Sequence, residues 1–328
     1  MLLENRYLRL LMRRLLQMLP TMLVVVLLAF TLMVLAPGDL ADVMAAEAQI
    51  GDRDLIDAMR RLYGGDNPWY VQLVNYLGSV VRLDLGFSFR HNLPVSTLIV
   101  ERIPATLLLM VAALGFAIVV GSLAGIAAAR RRDSWTDRAI SAAAAMCFAA
   151  PNFWLSLMLV VAFSIHLGWF PVAGMQTIGL PDASGWRQAL DVAHHLALPA
   201  LSLGLLYSAI YARVMRASML RCASLDYVRT ARAKGASEAH IAWRHILRNA
   251  LLPVVTLVSL HVATLFAGAV VVESVFSWPG LGSLLMEAVG ARNYPVVMGV
   301  MICSAAVVLI ANLLVDMLYM VLDPRVRL

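Results

Sequence analysis

The sequence predicts an all-α integral membrane protein with six transmembrane helices and both termini on the cytoplasmic side. Three observations carry that prediction. Of 328 residues, 61% are hydrophobic and 14% charged, for a mean hydropathy of +0.80. A soluble domain carries closer to about a quarter charged residues. The apolar residues also gather into charge-free runs, and a helix that crosses a bilayer needs about 20 residues of this kind. Finally, the basic residues are concentrated in alternate loops.

The first element follows Arg6, Arg9, Arg13 and Arg14 and runs uncharged over 15–38. A basic start before an apolar run also suits a signal peptide. No small-residue cleavage site precedes Pro37-Gly38-Asp39, so the run reads as a retained first helix. Residues 39–102 form a mixed-charge outer segment with turn residues at Gly64-Gly65-Asp66-Asn67-Pro68. Within it, Trp69 to Leu77 reads as an amphipathic helix lying at the bilayer surface.

The remaining charge-free windows are 103–129, 139–181, 192–212, 249–272 and 293–315. A charge at a helix centre costs about 2.5–3.5 kcal/mol on insertion, so such windows mark spans well. The 139–181 window exceeds one helix. Its span is expected over 140–166, ending before Gly168-Trp169-Phe170-Pro171, with a kink at Pro151.

Six spans put both termini on one side, and basic residues choose the side. Segments 1–14, 130–138, 213–248 and 316–328 hold 18 of the 26 basic residues and 7 of the 20 acidic ones. The positive-inside rule therefore makes them cytoplasmic. The net charge of +6 is thus accounted for by topology and needs no nucleic-acid partner. The resulting division is an N-terminal arm and first helix over 1–38 and an outer region over 39–102. A five-helix core over 103–323 follows, with a cytoplasmic loop at 217–248, and then a tail over 324–328.

Several chemistries are absent. Lys234, the only lysine, is followed by Gly235-Ala236, so there is no G-x-x-x-x-G-K-[ST] and no nucleotide site of that kind. There is no H-E-x-x-H and no G-x-S-x-G, and no carboxylate pair lies within the spans. Cys147, Cys222 and Cys303 are isolated and show no metal-ligand or disulfide spacing. His261, near the middle of the fifth span, is either a pore-facing group or a neutral histidine bonded to a neighbouring helix. His194-His195, just outside the fourth span, read as a solvated turn.

The most distinctive stretch is the basic loop. Ser224 or Asp226 can cap a helix start. Arg229, Arg232 and Arg244 make its exterior basic, while Ala231, Ala233, Ala236 and Ala239 keep it slim. Gly235 breaks the run. Such a surface suits insertion into a groove on a partner, and equally suits lying on anionic lipid.

The segment Arg229-Thr230-Ala231-Arg232-Ala233-Lys234-Gly235-Ala236, followed by Arg248-Asn249-Ala250-Leu251-Leu252-Pro253, resembles the signature loop of ABC importer permeases of the dipeptide/oligopeptide/nickel branch. Arg229 stands where the general signature has a glutamate, and Gly235 and Pro253 lie 18 positions apart, a longer spacing. Both departures are usual in the peptide branch. Further resemblances run along the chain. They include Leu62-Tyr63-Gly64, Asp84 to Arg90, Glu101 to Thr106, Pro151 to Trp154, Arg213 to Leu220, Glu273 to Gly282, and Tyr294-Pro295.

The resemblance implies a type I ABC importer transmembrane domain in the bacterial inner membrane, itself non-catalytic and binding no cofactor. A second, homologous permease subunit completes the pathway. Two ATP-binding subunits hold ATP and Mg, and an extracytoplasmic substrate-binding protein delivers the ligand. The coupling helix is expected over 227–240 with Gly235 at its turn, supported by Arg248, Asn249 and Pro253. Asn152 and His261 are the implied pore residues. Glu273, Trp278, Pro279, Gly280 and Tyr294 are the implied contacts for the binding protein. Di- or oligopeptides are the leading substrate class, with nickel, metal chelates, opines or glutathione as alternatives. A non-transporting membrane scaffold or receptor, or a passive channel, is the alternative from another class.

Overall fold

The computed structural model describes residues 2–35, 67–88, 90–177, 179 and 185–322. The expected outer turn at 64–66, the motif at 62–64 and the tail at 324–328 lie outside these residues. The described chain is almost wholly helical. Four single helices are long and apolar enough to cross a membrane: Leu11–Leu35, Val95–Arg130, Gly185–Ala223 and Tyr294–Met317. Two bent pairs, Trp135–Ala149 with Asn152–His166 and Glu238–Val258 with Leu260–Val275, raise the number to 6 if each pair is one span.

The helices are longer than the charge-free windows. Helix α3, Val95–Arg130, begins before the expected 103 and takes in Glu101, which is exposed, and Arg102. Helix α6, Gly185–Ala223, overruns the expected 192–212 at both ends. Backbone hydrogen bonding continues a helix past the apolar stretch wherever charged side chains can remain solvated. His194 and His195 therefore lie inside α6 rather than in a turn.

The expected kink at Pro151 is a full break. Helix α4, Trp135–Ala149, and helix α5, Asn152–Leu159, meet at 109°. Ala150 (ψ 133°) and Pro151 (ψ 134°) are both extended. The proline ring disfavours helical backbone at the residue before it, and proline has no N–H to continue the ladder. Helix α5 then widens into a π-helix over Val160–His166.

The chain divides into two compact units, Met1–Ala105 with Pro279–Leu313, and Thr106–Trp278 with Leu314–Leu328. The first contains helix α1 (Leu2–Leu35), helix α2 (Trp69–Val81), strands β1 (Phe87–Ser88) and β2 (Leu93–Pro94), and helix α11 (Leu281–Gly290). It also takes the start of α3 and most of helix α12 (Tyr294–Leu322). The amphipathic segment expected at Trp69–Leu77 is α2. The two strands pair antiparallel, Phe87 with Pro94 and Ser88 with Leu93. Ala29, Phe30 and Met298 form a core against which Leu73 and Tyr76 pack. The Phe30 and Tyr76 rings stack at 6.0 Å. Asn293 Nδ2 donates to Ser88 Oγ at 2.8 Å in the interior and fixes the hairpin to the start of α12.

In the second unit α3 and α6 approach closely. A Cβ on Gly121 would lie 2.6 Å from the Ser208 carbonyl oxygen, and one on Gly125 would lie 2.5 Å from that of Ala212. These two glycines form a G-x-x-x-G pair, which lets helix backbones meet. From the opposite side, a Cβ on Gly204 would lie 2.9 Å from the Ala113 carbonyl.

Candidate functional site: the 224–253 segment and the polar groups of the second unit

The distinctive loop folds as two helices and not as one helix over 227–240. Helix α7 covers Asp226–Ala233. Lys234 caps it, and Gly235 follows at φ +79°. Gly235 N–H donates to the Arg232 carbonyl at 2.9 Å, and Ala236 N–H to that of Ala231 at 3.2 Å. This pair of bonds is a Schellman motif, whose left-handed residue is best supplied by glycine. Ser237 then caps the next helix, accepting the His240 N–H on its Oγ at 3.3 Å. That helix, α8 (Glu238–His240), passes through a π-helical stretch, Ile241–Ile246, into α9 (Leu247–Ala250) and α10 (Leu252–Val275).

The turn is braced on both sides. Arg232 binds Glu238 through two bonds, Nε to Oε1 at 2.7 Å and Nη2 to Oε2 at 3.1 Å. Val228, Ile241 and Ala250 are fully buried beneath it. Asn249 Nδ2 donates to the His245 carbonyl at 2.9 Å and to the Tyr227 hydroxyl at 3.3 Å. Burial pushes the Tyr227 hydroxyl above its ordinary pKa, so it stays protonated and can donate to the His245 carbonyl. Pro253 is the second residue of α10, a position where its missing N–H costs no helical bond.

The outward side is the opposite in character. Arg229, Thr230, Arg232, Ala233, Lys234 and Gly235 are exposed, and Ala231 and Ala236 partly so. Arg248 is exposed as well. Leu225 and Trp243 add exposed apolar surface to the same segment. The turn thus presents basic and apolar groups on its exposed side.

A polar cluster lies among the helices of the second unit. His261 Nδ1 is 3.2 Å from the Tyr211 hydroxyl, and its ring lies against Tyr207 and Tyr211 at 5.2 and 5.5 Å. Histidine bonded to a neighbouring helix is thus the arrangement present. Asn152 opens α5 and reaches the Gly268 carbonyl with Nδ2 at 3.5 Å. Its Oδ1 is buried without a hydrogen-bond partner among the described residues. Next to it, Ser156 and Ser202 share a 2.6 Å hydroxyl bond.

Three of the five groups implied as outward contacts, Glu273, Trp278 and Gly280, are interior. Glu273 and Trp278 are both fully buried. Thr106 Oγ1 donates to Glu273 Oε1 at 2.7 Å, which explains how a carboxylate is tolerated there. Pro279 and Tyr294 are partly exposed, and Gly280 is buried. Gly280 N–H donates to Ser283 Oγ at 3.1 Å at the start of α11.

Sequence reasoning passed over three groups. Tyr207 and Tyr211 stand four residues apart and so share a helix face with the histidine's partner, a signal readable from spacing. Asp137 and Arg216 form a two-bond ion pair at 2.6 and 2.7 Å between α4 and α6. Nothing in the linear sequence joins those two residues. The Gly121/Gly125 pair was legible as a motif, although its partner helix was not.

Comparison with known proteins agrees with this architecture. Residues 118–328 match the family model for the binding-protein-dependent transport system inner membrane component, and residues 7–110 match that family's N-terminal model. The oligopeptide transport system permease protein AppB of Bacillus subtilis is 39% identical over 96% of this chain and 98% of its own. The di/tripeptide transport system permease protein DppB of Pseudomonas aeruginosa is 40% identical, covering 96% and 97%. A putative peptide permease of Brucella ovis is 42% identical, covering 98% and 99%. A chain of the MetNI methionine ABC transporter in an inward facing conformation superposes with a TM-score of 0.51 at 17% identity, covering 70% of this chain and 97% of that one.

Proposed function

Because the chain belongs to the family of binding-protein-dependent transport system inner membrane components, we propose that it forms half of the translocation pathway of an ATP-driven importer of di- or oligopeptides. The peptide assignment rests on near-full-length relatives named for oligopeptide and di/tripeptide transport. In this reading each bent helix pair is one span, giving six, and the basic segments 1–14, 130–138, 213–248 and 316–328 face the cytoplasm. The outer region is 39–102, and the core of the remaining five helices occupies 103–323. The chain performs no covalent chemistry. Two ATP-binding subunits carry ATP and Mg, a second homologous permease completes the pathway, and a binding protein delivers substrate at the outer face.

The observation that carries the coupling role is the contrast across the 226–250 segment. Its inner side is packed and hydrogen-bonded, and its outer side offers Arg229, Thr230, Lys234 and the Gly235 turn to a partner. A stiff element of this kind can pass a push from an ATPase into α6 and α10, rocking them between two access states. His261 and Asn152, both half-buried among the helices of the second unit, are the polar groups that would meet a peptide, with Tyr207 and Tyr211 packed against His261. Pro279 and Tyr294 are the outer positions left to meet the binding protein.

The test is reconstitution of the chain with its co-encoded partner permease, ATPases and binding protein. Charge reversal at two exposed positions, Arg229→Glu with Lys234→Glu, is expected to abolish peptide-stimulated ATP hydrolysis and dipeptide uptake in correctly folded protein. Undiminished uptake in that variant sinks the coupling role. Uptake of nickel without dipeptide sinks the substrate reading alone.

A further inference from the structure

The turn that joins α3 to α4 carries more basic charge than its own acids neutralise. Between residues 130 and 138, Arg130, Arg131, Arg132 and Arg138 stand against Asp133 and Asp137. Asp137 is engaged inward. Its Oδ1 accepts from Arg216 Nε at 2.6 Å, and its Oδ2 from Arg216 Nη2 at 2.7 Å and the Asp133 N–H at 3.0 Å. Asp133 is engaged by Arg132, whose Nε lies 3.2 Å from its Oδ2. Arg130, Arg131 and Arg138 are exposed and form no ion pair among the described residues. Topology accounts for basic residues at this end of the helices, but not for three of them lacking an acid. The turn is also held in place. Arg131 N–H donates to the Ala127 carbonyl at 3.2 Å, and Ser134 N–H to that of Arg131 at 3.1 Å.

Apolar surface runs directly up to these charges. Leu123 and Arg130 are seven residues apart on α3, and Val119 lies four residues before Leu123, so the three share one face. Val119 and Leu123 are 56% and 57% exposed, on a helix apolar enough to cross a membrane. From Arg130 to Val119 is about 16 Å along the axis, half of a hydrocarbon core about 30 Å thick. Trp135, 82% exposed, opens α4 beside the arginines and shares a face with Arg138 three residues on. Tryptophan at a helix end favours the level of lipid headgroups.

We propose that this turn and this face of α3 bind one anionic bilayer phospholipid. Its phosphodiester lies among Arg130, Arg131 and Arg138, Trp135 sits at the glycerol level, and one acyl chain runs along Leu123 and Val119. A zwitterionic lipid brings an ammonium group towards the same arginines and is disfavoured. A free phosphate makes no use of the apolar face, whose length matches one leaflet. The proposal rests on α3 being a span and is independent of what the chain imports.

The experiment is photolabelling of the full chain in nanodiscs of equal phosphatidylglycerol and phosphatidylethanolamine, with a photoreactive acyl chain on one lipid or the other. In wild type the glycerol lipid is expected to label α3 around Val119 and Leu123 roughly fivefold more than the ethanolamine lipid, the value of one arginine at an anionic surface. Arg130→Gln, Arg131→Gln and Arg138→Gln together are expected to bring the ratio to about one. Arg130→Lys, Arg131→Lys and Arg138→Lys together should keep most of it, which separates charge from folding. Soluble glycerol phosphate should leave the labelling unchanged. Equal labelling by the two lipids in wild type overturns the proposal. So does a ratio unchanged in the glutamine variant, a ratio lost equally in the lysine variant, or labelling confined to other helices. Loss of α3 labelling on adding glycerol phosphate overturns it in favour of a free anion. Loss on adding the partner ATPases overturns it in favour of a protein contact.

Discussion

Asp137 and Arg216 are joined by two hydrogen bonds of 2.6 and 2.7 Å, although 79 residues separate them. Asp137 sits in the first turn of α4, where Ser134 caps the helix, and also accepts the Asp133 N–H at 3.0 Å. One carboxylate therefore holds the 130–134 turn, the start of α4 and the last third of α6. Asp137→Asn keeps the size but loses the charge-assisted bonds. It is expected to lower the thermal midpoint of the purified protein by about 3–8 °C. Arg216→Ala should do the same, and the double variant should fall by less than the sum. Strict additivity would show that the pair is not coupled.

The α3–α6 crossing makes a sharper demand. Gly121→Leu or Gly125→Leu places side-chain carbon against backbone carbonyls that a Cβ would already approach to 2.6 and 2.5 Å. Overpacking of this kind costs about 1–3 kcal/mol and more where backbone must move. Loss of the monodisperse species in size-exclusion chromatography is expected. Gly115→Leu is the control, because a Cβ there meets nothing within 4 Å. Equal behaviour of the three variants would refute close contact at this crossing.

Gly235 constrains conformation and not space. A Cβ there meets nothing within 4 Å, yet φ is +79°. Left-handed backbone costs an ordinary residue about 1–2 kcal/mol, and asparagine less. Gly235→Val should therefore weaken ATPase-coupled uptake far more than Gly235→Asn, with the protein still folded. Two variants equally active, or equally dead, would remove the turn from the mechanism.

The buried Thr106–Glu273 bond is open to a conservative test. Thr106→Val keeps shape and leaves Glu273 short of a donor, which costs about 1.5–3 kcal/mol for a bond to a charged group. Thr106→Ser should retain most of the stability. Chemical denaturation or thermal unfolding in detergent distinguishes the two, and identical curves would show the bond to be idle.

Much of the architecture was legible because membranes reward simple patterns. Charge-free windows located the helices, and basic loops suggested their orientation. Pro151 was visible as a disruption, but a proline in the sequence does not state its angle. The 109° turn depends on the extended backbone at Ala150 and on what α5 packs against. Likewise Gly235 was visible as a break, while the two-helix form needed Ser237 as a cap and Arg232–Glu238 as a brace. Glu273 and Trp278 were expected at the surface only because the family resemblance implies an outer contact there. The buried Glu273 carboxylate has its partner, Thr106, 167 residues away in the chain.

By itself, the sequence determined what composition and local spacing can encode: a multi-span helical membrane protein, its basic 226–253 segment, and its likeness to importer permeases. Tertiary structure alone decided the pairings across long separations. These are Asp137 with Arg216, Thr106 with Glu273, and His261 with Tyr211. The physical reason is that hydropathy and propensity act within a few residues. A buried polar group, by contrast, takes whichever partner the packing of distant helices brings within hydrogen-bonding reach.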